Sequence, residues 1–138
     1  MNAEEQLNKC GIRPSVQRLA IMQYLLDHKT HPTVDEIFSA LSPQMPTLSK
    51  TTVYNTLKLL SESKAALMLD IDGKNVRFDG DTSLHAHFKC LKCGKIFDVF
   101  PADFPSFAEA ETSRIGNLYV TETEVYYKGY CNKCFNKK

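Results

Sequence analysis

Arg77-Phe78-Asp79-Gly80-Asp81-Thr82-Ser83-Leu84-His85-Ala86-His87-Phe88-Lys89-Cys90-Leu91-Lys92-Cys93 is the stretch around which the rest of the chain is organised. It carries candidate ligands for one metal, Asp79, His85 and His87, and the first two thiols of another group, Cys90 and Cys93. Helix-period sequence precedes it, and strand-like, cysteine-bearing sequence follows. A segment that is both boundary and ligand store points to a switch.

Cys90-x-x-Cys93 and Cys131-x-x-Cys134 place two tight knuckles at opposite ends of one small domain, the pattern that builds a tetrahedral four-cysteine zinc site. Disulfides or a thioredoxin-like redox pair are the alternatives, but the latter wants one such motif within a βαβ unit. Four soft ligands leave no open position, so the zinc is expected to be structural.

His85 and His87 stand at i and i+2, so on a strand their imidazoles share a face. A lone histidine there would ordinarily be a satisfied core residue. Here Asp79 ends the preceding strand, Asp98 ends the next, and His31 lies in a turn of the N-terminal half. These five nitrogen and oxygen donors, without a thiolate, suit Fe(II) or Mn(II) better than zinc or Cu(I).

Towards the N-terminus, residues 2–10 read as a polar helix that Gly11 ends. Ser15 is a candidate N-cap for a helix with Val16, Leu19, Ala20, Ile21, Tyr24 and Leu25 on its apolar face, running to about His28 and closed by His31-Pro32. Thr33 and Glu36 fit a capping box before Val34, Ile37, Phe38 and Leu41. Ser49 can cap a third helix over 49–63. Val53, Leu57 and Leu60 face inward there, and Lys50, Thr51, Tyr54, Asn55 and Lys58 form a polar, cationic outer face. Leu67–Ile71 and Asn75–Phe78 flank Asp72-Gly73, a hairpin signal. Helices followed by such a hairpin make a winged helix-turn-helix.

Towards the C-terminus, strands are expected at 85–90, 95–100, 117–120 and 123–130, with a helix from Pro101 to about Ser113 and Cys134 ending the ordered chain. The fold class is α+β: a winged helix-turn-helix domain over 1–79, a linker at 80–84, and a small α/β zinc-bearing domain over 85–138.

The 138 residues carry a net charge of +1. Residues 1–80 hold nine Lys/Arg against nine Asp/Glu, and residues 81–138 hold eight against seven. Without a polybasic footprint, any DNA contact must come from a local patch. The start of the chain lacks the regions of a signal peptide, and no apolar run reaches membrane-spanning length. A cytoplasmic protein is expected, whose five cysteines read as ligands or thiols before disulfides.

Gln17-Arg18, His31-Pro32-Thr33, Thr52-Val53-Tyr54-Asn55-x-Leu57, Arg77-Phe78-Asp79, His85-x-His87 and the two cysteine knuckles together resemble the ferric uptake regulator (Fur) family of bacterial metal-dependent repressors. The resemblance covers nearly the whole chain. It implies a DNA-binding homodimer, not an enzyme, with structural Zn(2+) and a regulatory Fe(2+) or Mn(2+) held by His31, Asp79, His85, His87 and Asp98. Aspartates at 79 and 98, where iron-sensing members generally carry glutamates, resemble the peroxide-sensing (PerR) branch. Ala86 and Thr123 stand where many iron sensors place a further metal site. Leu84 replaces an additional histidine of the iron branch, and Ser15-Val16 stands where Thr-Pro is common.

The resemblance implies repression of oxidative-stress genes, relieved when peroxide oxidises His31 or His85 at the iron. The partner would be an AT-rich inverted-repeat operator, with Thr51 and Tyr54 near base edges, Asn55 on the same face, and Lys50 and Lys58 on phosphates. No membrane and no small organic substrate are expected, and Cys10 reads as incidental. The alternative within the family is an iron-responsive repressor of uptake genes. A non-haem iron oxygenase would need an open substrate pocket, and an interaction module without DNA binding fits poorly with the intact outer face of helix 49–63.

Overall fold

Ser15, Thr33 and Ser49 each start a helix by accepting a backbone N–H into the hydroxyl. The donors are Arg18 at 3.2 Å, Glu36 at 3.2 Å and Thr52 at 3.1 Å. Each such cap is worth about 1 kcal/mol. Glu36 returns the bond to the Thr33 N–H, completing the capping box. The computed structural model describes residues 2–103 and 113–136, in two compact units, Met1–Thr82 and Ser83–Lys138.

The first unit holds α1 (Ala3–Lys9), α2 (Val16–Asp27), α3 (Val34–Leu41) and α4 (Lys50–Glu62), with a short 3-10 turn over Ser42–Gln44. Strands β1 (Leu67–Leu69) and β2 (Arg77–Asp79) follow as an antiparallel pair. Leu7, Ile21, Met22, Leu25, Ile37, Val53, Leu57, Leu60 and Phe78 form one buried cluster. Val16 leaves the apolar face expected of it and is 77% exposed, at the first position after the Ser15 cap. Met22 takes a core place instead.

The wing is looser than a two-residue hairpin. Its strands stop at Leu69 and resume at Arg77, so residues 70–76 form a loop. Two pulls widen it: Ile71 is buried, and Arg77 Nε reaches Asp72 Oδ2 at 3.3 Å. Gly80, expected in a linker, packs inside the first unit. A Cβ added there would lie 2.8 Å from the Leu25 carbonyl oxygen of α2, closer than such atoms approach.

The second unit holds β3 (Ala86–Cys90), β4 (Ile96–Val99), β5 (Arg114–Ile115), β6 (Leu118–Tyr119), β7 (Tyr126–Gly129) and α5 (Asn132–Phe135). β3 is central, antiparallel to β4 and parallel to β7. β5 and β6 form a separate hairpin, shorter than the strand expected at 117–120. Pro101–Asp103 is one 3-10 turn, and the rest of the helix expected to Ser113 lies mostly outside the described residues. Cys134, expected to end the ordered chain, lies inside α5, which runs on to Phe135.

Gly80→Ala should lower the stability of the first unit by about 1–3 kcal/mol, since a backbone carbonyl cannot step aside as a side chain would. Urea unfolding followed by helix signal checks this, and an unchanged midpoint would mean that residue 80 and α2 do not touch in solution.

Candidate metal centres and nucleic-acid interface

The four knuckle thiols converge because β3 and β7 run in the same direction. Cys90 pairs with Gly129, the Leu91 N–H donates to the Gly129 carbonyl at 2.7 Å, and both strands therefore end where a knuckle begins. Gly94 closes the first knuckle at φ 77°, the left-handed region that suits glycine, and its N–H donates to the Cys90 carbonyl at 2.9 Å. The Sγ atoms of Cys90, Cys93, Cys131 and Cys134 all lie within 4.8 Å of one another, with Cys93 and Cys131 at 4.0 Å. A tetrahedral zinc with Zn–S bonds of about 2.3 Å spaces its sulfurs by roughly 3.8 Å, so the cage fits.

The cage is also prepared electrostatically. Backbone N–H groups of Cys131 and then Cys93 hold the Cys90 thiol down at about 5. Hydrogen bonding to the Cys131 thiol, followed by burial, pushes Cys134 up to about 12. Crowded sulfurs thus stabilise one thiolate while a neighbour keeps its proton; a divalent cation would allow all four to ionise.

The five expected N/O ligands fall in two groups, one in each unit. In the first unit, His31 Nε2 lies 3.6 Å from Asp79 Oδ2, and both side chains are buried. Asp79 Oδ1 accepts the Asp81 N–H at 2.9 Å, which fixes the carboxylate and turns Oδ2 towards the imidazole. In the second unit, His87 stands directly opposite Asp98 in the β3–β4 register, and His85 shares its face two residues earlier. Nε2 of His85 and of His87 reach the same oxygen, Asp98 Oδ1, at 3.3 and 3.4 Å.

The Ser83 carbonyl, 2.7 Å from His85 Nδ1, can only accept, so Nδ1 carries the proton and Nε2 is left to face Asp98 with a lone pair. A lone pair beside a carboxylate oxygen calls for a proton or a metal cation between them. Nitrogen and carboxylate donors with no sulfur fit Fe(II) or Mn(II).

On α4, Lys50, Thr51, Tyr54, Asn55 and Lys58 are all exposed, Tyr54 by 53%. Lys50 is not wholly committed to solvent: Asp35 of α3 lies 3.3 Å from its ammonium, an exposed pair of the weak kind. Sequence reasoning missed a neighbouring groove of about 480 Å³. Arg13, Ser15, Gln17 and Arg18 line one side, and Thr52 and Asn55 the other. Arg18 is anchored there by donating to the Arg13 carbonyl at 2.9 Å. The signal was available in the two arginines that bracket the Ser15 cap, but only the packing of α2 on α4 brings them beside Asn55.

The ferric uptake regulator family model matches residues 9–127. The chain belongs to the ferric uptake regulator family. It is 38% identical over 130 residues to the peroxide-responsive repressor PerR of Staphylococcus epidermidis, covering 93% of this chain and 85% of that protein. The crystal structure of the Campylobacter jejuni peroxide stress regulator is 28% identical, with a TM-score of 0.72 and 95% of both chains covered. The manganese-bound ferric uptake regulator of Pseudomonas aeruginosa, at 19% identity, shares the fold with a TM-score of 0.76 over 96% of this chain and 99% of that one. Members of the family are dimeric DNA-binding transcriptional regulators. No helix among the described residues is long and apolar enough to cross a membrane.

Cys93→Ser should reduce bound zinc from about one ion per chain to near none and unfold the second unit, because a small metallo-domain draws much of its folding free energy from the ion. Metal analysis with thermal unfolding checks this, and a fully zinc-loaded variant would rule out the four-thiolate cage.

Proposed function

We propose that this chain is a metal-dependent DNA-binding repressor of the bacterial cytoplasm. It responds to hydrogen peroxide through one Fe(II) or Mn(II) ion held by His31, Asp79, His85, His87 and Asp98. The reading is carried by the convergence of two imidazole nitrogens on Asp98 Oδ1, next to a thiolate cage that shares the same strand. Similarity to peroxide-responsive repressors adds to it.

His31 and Asp79 supply ligands from the reader unit, and His85, His87 and Asp98 supply them from the other. Neither group alone completes a five-donor set, so full ligation selects one relative orientation of the units by its greater affinity for that state. In a homodimer this would space the two copies of α4 for successive major grooves of an AT-rich inverted repeat. The exposed Ile115, Leu118 and Tyr119 of the β5–β6 hairpin offer an apolar surface for the second copy. Four-thiolate zinc would keep that unit folded whether or not the regulatory site is filled.

Bound Fe(II) would supply the redox chemistry that turns peroxide into an oxidant at the site. One peroxide oxygen would add to the imidazole of His31 or His85, and the other would leave as water. The modified ring is a poorer donor, the ligand set falls apart, and DNA is released. Thr51, Tyr54 and Asn55 would meet base edges, while Lys58, Lys50 once freed from Asp35, Arg13 and Arg18 would meet phosphates.

The iron-loaded dimer should release an AT-rich inverted-repeat duplex after micromolar peroxide, with one oxygen gained on His31 or His85, while the manganese form stays bound. Gel-shift and peptide mass measurements check this. If both forms hold DNA until chelated, the protein is a metal-responsive repressor without peroxide sensing.

Tyr54→Ala should weaken specific binding by about 1–3 kcal/mol, whereas Arg13→Ala should lower the salt slope by about one unit with little change in sequence preference. Titrations at several salt concentrations separate the two, and an unchanged slope would remove Arg13 from the interface.

A further inference from the structure

Arg77 stands where three parts of the first unit meet. Its Nε donates to Asp72 Oδ2 in the wing loop at 3.3 Å. Its Nη1 donates to the His31 carbonyl at 3.0 Å and lies 3.5 Å from Glu36 Oε1 in the first turn of α3. Beside it, the Phe78 N–H donates to the Pro32 carbonyl at 3.0 Å, and Thr33 bridges Arg77 through the backbone. The His31 turn is thus stitched to β2 along its length.

His31 needs that stitching. Its φ is 56°, in the left-handed region that residues other than glycine rarely adopt. Arg77 and Asp79 stand at i and i+2 on β2 and so point to one face of the strand. From that face Arg77 takes the His31 carbonyl and Asp79 meets the His31 imidazole. One strand therefore grips both the backbone and the ring of the same residue.

We propose that Arg77 is a positioning residue for the regulatory metal. By binding the His31 carbonyl, it holds His31 in the left-handed conformation that aims the imidazole at Asp79, and through Asp72 it ties this ligand to the wing. The inference rests on the reading of His31 as a metal ligand. A planar guanidinium suits the task, because it can serve a carbonyl and two carboxylates from fixed directions at once, whereas an ammonium is a point charge on a flexible stem. Ordinary exposed ion pairs would add little, but this side chain is only 22% exposed and its bond to His31 is charge-assisted.

The test is Mn(II) affinity of the zinc-loaded full chain in Arg77→Met, Arg77→Lys, His31→Ala and the Arg77→Met/His31→Ala pair. Zinc content and helix signal are followed in each. Arg77→Met should weaken Mn(II) by about 10–100-fold, as loss of a partner that orients a ligand does, with zinc retained. Once His31 is alanine, removing Arg77 should cost nothing further. Arg77→Lys should recover only part of the affinity, and it carries the test if the methionine variant does not fold.

Wild-type affinity in Arg77→Met, losses that add with those of His31→Ala, or full recovery by lysine would each overturn the proposal. Unchanged affinity in His31→Ala would instead overturn the reading of His31 as a ligand, and with it the role given to Arg77.

Discussion

β3 and its flank carry candidate ligands of both metal groups, and its register against two neighbours decides where each of them goes. Antiparallel pairing with β4 sets His87 opposite Asp98, and His85, just before the strand, reaches the same carboxylate. Parallel pairing with β7 sets Cys90 beside Gly129, so the second knuckle begins next to the first. A slip of one residue would turn His85 and His87 to the other face. Zinc in the cage would pin that register, because Cys90 and Cys131 would share an ion. The structural metal is in this sense a positional reference for the regulatory one.

Helix starts in the first unit were legible because each rests on local chemistry: a hydroxyl, a backbone N–H and a spacing of three residues. Ser15, Thr33 and Ser49 all cap as their spacing implies. The wing was less legible. Asp72-Gly73 is a genuine turn signal, but Arg77 holds Asp72 and Ile71 is buried, both tertiary effects that open the loop. Val16 failed for a related reason: helical period cannot tell which first-turn residue stays exposed. At the site, residue types and spacing nominated His31, Asp79, His85, His87 and Asp98 as candidate ligands. What they could not show was the left-handed backbone at His31, the Ser83 carbonyl that sets the His85 tautomer, or the grip of Arg77 on the His31 turn.

The two groups of candidate ligands differ in how they are held, and the difference matters for the proposed switch. His87 and Asp98 stand on paired strands, whose backbone bonds fix them whatever the metal does, and His85 directly precedes β3. His31 stands in a turn, in an uncommon backbone state, maintained by side chains from β2. A ligand held by a few polar contacts can be released by modest chemical damage, and its loss need not unfold the unit that bears it. An oxidised His31 would therefore report through geometry while the core of Leu25, Leu57 and Leu60 stays intact.

The central claim is that one ion draws on both units. Counting imidazole nitrogens on bound Mn(II) by pulsed electron paramagnetic resonance tests it most directly, on the zinc-loaded chain and on His31→Ala. The account predicts three directly bound imidazoles, falling to two when His31 is removed. A count of two that does not change on that substitution would contradict it, confining the metal to the strands of the second unit and leaving the DNA-reading unit without a ligand of its own.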